Sequence, residues 1–151
     1  MKRAQRLQIV QHVVDDLERR RAEALAVSER RLREQEAKLS ELESYHAGYL
    51  RDFNERAFTG LNSVLARDYQ AFLARLDEAL RQQSQAVTRA RVQRDGELRT
   101  WQGAAQRAEG VGQMVKRFQT EEERALERRE QHESDERSQR AWTYGLVLRG
   151  A

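Results

Sequence analysis

The sequence contains no proline and no cysteine, and only 7% of its residues are aromatic. Proline breaks the interior of a helix, so its absence favours long uninterrupted helices. A chain without cysteine forms neither disulfides nor a reactive thiolate, which suits a cytosolic protein without requiring one. The scarcity of large apolar side chains indicates a narrow packed seam and no globular core.

Long apolar stretches are also missing. No run of residues could span a bilayer, and the opening residues 1–7 lack the apolar core of a signal peptide. We therefore expect a soluble, intracellular protein. The 28 basic and 25 acidic residues leave a net charge of +3, a balance too even to indicate nucleic-acid binding by itself.

What the chain does contain is the composition and spacing of a coiled coil. Residues that are mostly apolar or small recur in steps of three and four on both sides of residue 60. In the first stretch the stripe is Leu7, Val10, Val14, Leu17, then Leu25, Ser28, Leu32, Gln35, Leu39, Leu42, His46, Tyr49 and Phe53. In the second it is Leu65, Tyr69, Phe72, Leu76, Ala79, Gln83, Ala86, Ala90, then Leu98, Trp101, Ala105, Ala108, Gly112 and Val115. Each stripe contains two consecutive steps of four, through Arg21 and Arg94, which indicate a stutter in the supercoil.

The stretch Phe58-Thr59-Gly60-Leu61-Asn62-Ser63 interrupts this spacing. Gly60 can take the left-handed conformation that ends a helix, and Asn62 or Ser63 can cap the next one. We predict an all-α fold, a long antiparallel two-stranded coiled-coil hairpin with a C-terminal helical overhang. Residues 1–142 form this single domain, with arm one at 2–57, the tip at 58–63 and arm two at 64–142, followed by a flexible tail at 143–151.

The two stutters coincide if facing residues have numbers that sum to about 118 or 119. This alignment sets Tyr49 opposite Tyr69, His46 by Phe72 and Leu17 by Trp101. The rival architecture, a parallel dimer of one long helix, would set large side chains beside large ones and leave the tip residues unexplained.

The second arm is longer than the first, because the start of the first arm lies opposite about Val115. Residues 116–142 still predict a helix, supported by the pairs Glu133 with Arg137 and Glu136 with Arg140. This overhang is either a frayed tail or a segment that awaits a partner. The apolar end from Trp142 is either a flexible terminus or a short docking peptide.

Four glycines, Gly96, Gly103, Gly110 and Gly112, lie in the far half of the second arm. Each costs a helix interior about 1 kcal/mol relative to alanine. They reflect either neutral drift at an outer position or a surface that a partner approaches closely.

No arrangement of residues predicts catalysis. The histidines, His12, His46 and His132, are far apart, so we expect no metal site, and we expect no catalytic residue, cofactor or small-molecule ligand. The arginines at 19–21 and at 30, 31 and 33 are either anion sites or part of a solvated face, and the acids interspersed among them favour the solvated face.

Aromatic residues are concentrated near the tip, where Tyr45, Tyr49, Phe53, Phe58, Tyr69 and Phe72 lie. A two-stranded coil cannot bury side chains this large, so we expect a partly exposed aromatic patch, a typical protein-binding surface. Tyr45 is the most informative member, because it lies beside the stripe and packing does not account for it.

The ordered set of these residues resembles the flagellar export protein FliJ family. The resemblance rests on Tyr45 and Tyr49, the run Tyr69-Gln70-x-Phe72-x-x-x-Leu76-x-x-Ala79, Trp101, and the acidic segment 133–137, and it covers about residues 1–142. It implies a non-enzymatic stalk or chaperone escort of the flagellar type III export apparatus, cytoplasmic and peripherally associated with the inner membrane. The implied partners are the export ATPase hexamer, the membrane export gate protein and export chaperones. The implied gate-binding residues are Leu42, Tyr45, Tyr49, Phe72, Leu76, Ala79 and Gln83.

Two alternatives stay open. One is the equivalent stalk of a virulence type III secretion system. The other is a basic coiled-coil scaffold that binds nucleic acid, which we do not expect because basic and acidic residues are nearly balanced. It predicts a steep loss of binding with salt.

Overall fold

Two α-helices joined by a short turn make up residues 3–150, the part of the chain that the computed structural model describes. Helix α1 spans Arg3–Thr59 and helix α2 spans Ser63–Arg149, and the described residues contain no strand. The two helices pack against each other, which confirms the predicted all-α hairpin. Residue 2 of the predicted first arm and residue 151 of the predicted tail lie outside the described residues.

The turn at 60–62 has the chemistry that the sequence predicts. Gly60 has a φ of 102°, in the left-handed region that disfavours side chains with a Cβ. Asn62 caps α2, since its Oδ1 accepts a hydrogen bond of 2.8 Å from the backbone N–H of Leu65. The carbonyl of Asn62 accepts the first bond of the helix, 3.0 Å from the N–H of Ala66. These local bonds fix where α1 ends and α2 begins.

Helix α2 continues past residue 142, where we placed the end of the second arm. It includes residues 143–149 and ends at Arg149. The segment contains no proline, and its single glycine, Gly145, costs only about 1 kcal/mol, so nothing in its chemistry stops the helix. The flexibility that we expect for residues 143–151 stays a prediction.

The section Leu17–Ala104 forms one compact unit of the chain. Its core is a cluster of Leu32, Val87 and Ala90, with Leu39 packed against it. Among the described residues no large side chain is fully buried. The unit is therefore held together by a narrow stripe along the facing sides of two helices, as expected for a coiled coil.

The innermost residues of this stripe lie one position away from several predicted ones. Val87, which is 5% exposed, is the buried residue beside the half-buried Ala86. Ala104, at 1%, takes the place predicted for Ala105, and Arg21 is exposed. An α-helix turns once in 3.6 residues, so a stripe drawn in steps of three and four drifts around it and misses the innermost residue by one.

Two polar contacts within the unit Leu17–Ala104 follow the predicted alignment. The side-chain N–H of Gln83 donates to Oε1 of Gln35 at 2.8 Å and to its carbonyl at 2.9 Å, and these residue numbers sum to 118. The indole N–H of Trp101 donates to Oε1 of Glu18 at 2.8 Å, with a sum of 119. Polar pairs on an otherwise apolar seam favour one alignment over its neighbours, because a shift would leave them unsatisfied.

The second unit comprises Met1–Asp16 and Ala105–Ala151. Within it Val115 is 7% exposed, and the guanidinium carbon of Arg3 lies 4.6 Å from the ring centroid of Phe118, a cation–π contact. The start of α1 therefore reaches Phe118, slightly beyond the predicted limit at Val115.

The stripe is also displaced by one residue in this unit. Val10, predicted on the seam, is 45% exposed, whereas Gln11 is half-buried. The Nε2 atom of Gln11 lies 3.8 Å from where a Cβ on Gly112 would stand. A polar side chain thus covers the glycine, and the valine faces outward.

Beyond Phe118, helix α2 has no segment of α1 beside it, and nearly all of its residues up to 149 are exposed. Both predicted ion pairs are present, at 3.8 Å between Glu133 and Arg137 and at 3.9 Å between Glu136 and Arg140. Since exposed pairs four residues apart contribute only about 0.3–0.5 kcal/mol each, this extension is stabilised weakly and locally.

Candidate partner-binding site

An open groove lies on the hairpin near the tip, and we call it the tyrosine groove. Its volume is about 580 Å³. It is lined by Ser44, Tyr45, Gly48, Tyr49 and Asp52 of α1 and by Tyr69 of α2. The residues of α1 come from two adjacent rows on the helix, one at 44, 48 and 52 and the other at 45 and 49, because residues four apart lie on the same face.

Ring contacts between the two helices support one wall of the tyrosine groove. The ring centroid of Tyr49 lies 4.4 Å from that of Phe72 and 6.5 Å from that of Tyr69. The ring of Phe53 lies 5.8 Å from Tyr69. All three pairs are tilted, a geometry that aromatic rings favour. We expected His46 to face Phe72, but the Nε2 atom of His46 lies 2.7 Å from Oδ1 of Asp77.

A hydrogen bond across the hairpin holds Tyr69 in place. Its hydroxyl donates to Oδ2 of Asp52 at 2.6 Å. This bond raises the pKa of Tyr69 above its ordinary value of 10.0, with desolvation as the next cause, because both disfavour the phenolate. On the same carboxylate, Oδ1 lies 3.6 Å from Nε of Arg56.

The seven predicted gate-binding residues fall into two groups. Tyr45 is 64% exposed and Tyr49 is 36% exposed, and both line the tyrosine groove. The other five are half-buried between the helices: Leu42, Phe72, Leu76, Ala79 and Gln83. Gln83 is also engaged by its hydrogen bonds to Gln35. The structure thus leaves two of the seven accessible on the surface and packs the other five between the helices.

Sequence reasoning missed the remaining lining residues of α1, Ser44, Gly48 and Asp52, whereas it placed Tyr69 both on the seam and in the aromatic patch near the tip. The spacing of Ser44, Gly48 and Asp52 by four places them on one face and was the available signal. The link from Asp52 to Tyr69 had no such signal, because it depends on the alignment of the two helices.

Among residues 3–150, no three His, Cys, Asp or Glu side chains are grouped so that they could hold a metal ion. In the same part of the chain, neither helix carries an apolar stretch of the length that crossing a membrane requires.

A second groove, of about 700 Å³, includes one of the arginines that we considered as anion sites. Arg31 of α1 and Arg89 of α2 both line it, together with Glu97. Nearby cations have carboxylate neighbours, at 3.9 Å between Arg91 and Glu36, so the positive charge of this section is partly neutralised.

The end of α2 is apolar and exposed. Trp142 is 70% exposed, Tyr144 69%, Val147 66% and Leu148 64%. At steps of 100° per residue, Tyr144, Val147 and Leu148 are spaced by three and four and share one face of the helix, whereas Trp142 lies on the other side.

Comparison with known protein families gives one match. A family model described as flagellar FliJ protein matches residues 2–145 of the chain. No curated protein and no solved structure matches the chain. The matched segment contains both helices up to residue 145 and the whole tyrosine groove.

Proposed function

The chain belongs to the flagellar FliJ family, and we propose that it is a stalk-like adaptor of the flagellar type III export apparatus. In this proposal it links the export ATPase hexamer to the membrane export gate protein and escorts export chaperones. It acts in the cytoplasm, associates peripherally with the inner membrane and catalyses no reaction itself. The family match is to the flagellar protein, so it does not favour the virulence-system alternative.

The exposure of Tyr45 is the observation that supports gate binding most directly. Its side chain is 64% exposed and lies beside Tyr49 on the rim of the tyrosine groove. A tyrosine buries roughly 150–250 Å² when a partner covers it, and apolar burial contributes about 25 cal/mol per Å². Covering the exposed 64% of Tyr45 would therefore stabilise a complex by about 2–4 kcal/mol, the size of an interface hot spot.

The helical extension beyond Phe118 supports contact with a second partner. Its residues are exposed and no part of α1 lies beside it. An isolated helix gains little from its own ion pairs, whereas packing against a partner adds the burial that such a helix lacks. We assign this extension to the export ATPase.

Binding of the purified cytoplasmic domain of the gate protein tests the proposal. We expect Tyr45→Ala to weaken binding by roughly thirtyfold or more, as the loss of a hot spot predicts. Tyr144→Ala is the matched control, because Tyr144 is 69% exposed and does not line the tyrosine groove, so its loss should leave the affinity unchanged. Isothermal titration calorimetry measures both.

Helix content by circular dichroism shows whether each variant keeps its fold. If Tyr45→Ala keeps full helicity and full affinity for the gate domain, the tyrosine groove is not the gate-binding surface, and the proposed contact with the gate protein is refuted.

A further inference from the structure

The lining of the tyrosine groove has an unusual combination of charge and ring chemistry. Of its six residues three are tyrosines, one is the carboxylate Asp52, and none carries a positive charge. The face of an aromatic ring is electronegative, so the rings and the carboxylate together favour a cation in the groove, and Arg56, 3.6 Å from Oδ1 of Asp52, offsets part of the negative charge from outside. A cationic group fits this groove, whereas an acidic one does not.

The groove also has room beside Gly48. A Cβ built on this residue would meet no atom within 4 Å. A side chain from a partner can therefore lie against the backbone of α1 between Tyr45 and Asp52, where any larger residue would stand in its way. Asp52 keeps accepting capacity, since its side chain is 46% exposed.

Arg56 shows how a guanidinium fits these groups. Its Nε lies 3.6 Å from Oδ1 of Asp52, and its guanidinium carbon lies 5.8 Å from the ring centroid of Tyr69. It does not line the tyrosine groove, so it reaches these groups from outside. The groove itself offers a second guanidinium the rings of Tyr45 and Tyr49 together with the same carboxylate.

We propose that the tyrosine groove receives an arginine side chain that the export gate protein presents. A planar guanidinium stacks on tyrosine rings and donates two hydrogen bonds to one carboxylate, which a lysine ammonium does not match. The identity of the partner rests on the proposed function, whereas the preference for a guanidinium rests on the groove alone.

The preference is tested with a small probe that needs no partner protein. Acetyl-arginine N-methylamide is titrated into the isotopically labelled full chain, and the amide signals of Ser44 and Gly48 are followed by NMR. We expect saturable shifts in the millimolar range, since a few exposed cation–π contacts are worth only about 0.5–1 kcal/mol each. Acetyl-norleucine N-methylamide is the uncharged control and should produce none. Equal shifts with both probes would show an apolar groove and overturn the proposal.

Asp52→Asn isolates the role of charge. Asparagine still offers an oxygen to the hydroxyl of Tyr69, so the bond across the hairpin remains while the charge is lost. We expect binding of the arginine probe to weaken by about tenfold, the effect of removing a charge-assisted hydrogen bond. Asp68→Asn removes the same charge from an exposed residue outside the groove and should change little. Unchanged probe binding by Asp52→Asn would refute the proposal.

Binding of the same variants to the gate domain tests the proposed function and the arginine site separately. Binding of the arginine probe without binding of the gate domain refutes the proposed function and leaves the guanidinium site in place. Binding of the gate domain that is insensitive to Asp52→Asn, with no response to the probe, refutes the arginine site and leaves the proposed function in place.

Discussion

Two glycines of the hairpin should respond in opposite directions to the same substitution. Replacing Gly60 or Gly96 by alanine adds one methyl group, and at neither position would it meet an atom within 4 Å. Gly60 has a φ of 102°, a backbone conformation that costs an L-residue about 1–2 kcal/mol. Alanine also lowers the conformational entropy of the unfolded chain, which offsets part of this cost. Gly60→Ala should therefore destabilise the protein by about 1 kcal/mol. Gly96 lies inside α2, where Gly96→Ala should stabilise by about 1 kcal/mol.

Thermal and urea unfolding followed by circular dichroism measure the difference. A difference of about 2 kcal/mol between the free energies of unfolding of the two variants corresponds to a difference in Tm of roughly 4–8 °C for a chain of this size. Because the added volume is identical and unopposed at both sites, only backbone conformation distinguishes them. Shifts of the same sign in both variants would refute the assignment of Gly60 to a left-handed turn or of Gly96 to an unstrained helix.

Two further outcomes follow. The raised pKa of Tyr69 means that its bond to Asp52 contributes stability below its ordinary pKa of 10.0, and this contribution is lost as the pH rises through the folded-state pKa. Urea unfolding on either side of pH 10.0 should therefore show a steeper loss of stability for the native chain than for Tyr69→Phe, and parallel curves would contradict the bond. The full chain should stimulate the purified flagellar export ATPase near stoichiometric ratio at several salt concentrations. A chain that ends at residue 118 should lose this effect, and stimulation that survives the truncation would remove the assignment of the extension to the ATPase.

The sequence was sufficient for those parts of the fold that local chemistry determines. Gly60 and Asn62 act on backbone atoms a few residues away, so the position of the turn followed from residue type alone. The alignment of Gln35 with Gln83 followed from matching two stripes about that turn. The innermost residues did not follow, because a shift of one position, as between Ala105 and Ala104, depends on how one helix rotates against the other.

The candidate site was only partly predictable for the same reason. Tyr45 stood out because an aromatic residue beside the stripe has no packing role, and it is exposed. The spacing of Gly48 and Asp52 places them on one face of α1, but it does not show that this face forms a groove, since that depends on the ring of Tyr69 on the other helix. Alignment to within one residue is needed to place that ring, and periodicity does not supply it.

The short turn at 60–62 also leads us to expect a particular order in which the hairpin folds. The entropy cost of closing a loop rises with its length, so the first contacts between the helices form beside the turn, where Phe53 meets Tyr69. Glu18 and Trp101 are 83 residues apart, so we expect them to come together only after the helices have paired near the turn. We therefore expect the rings that line and support the tyrosine groove to belong to the folding nucleus. A partner that docks there meets the section of the chain that is completed first, while the far ends of both helices are still unpaired.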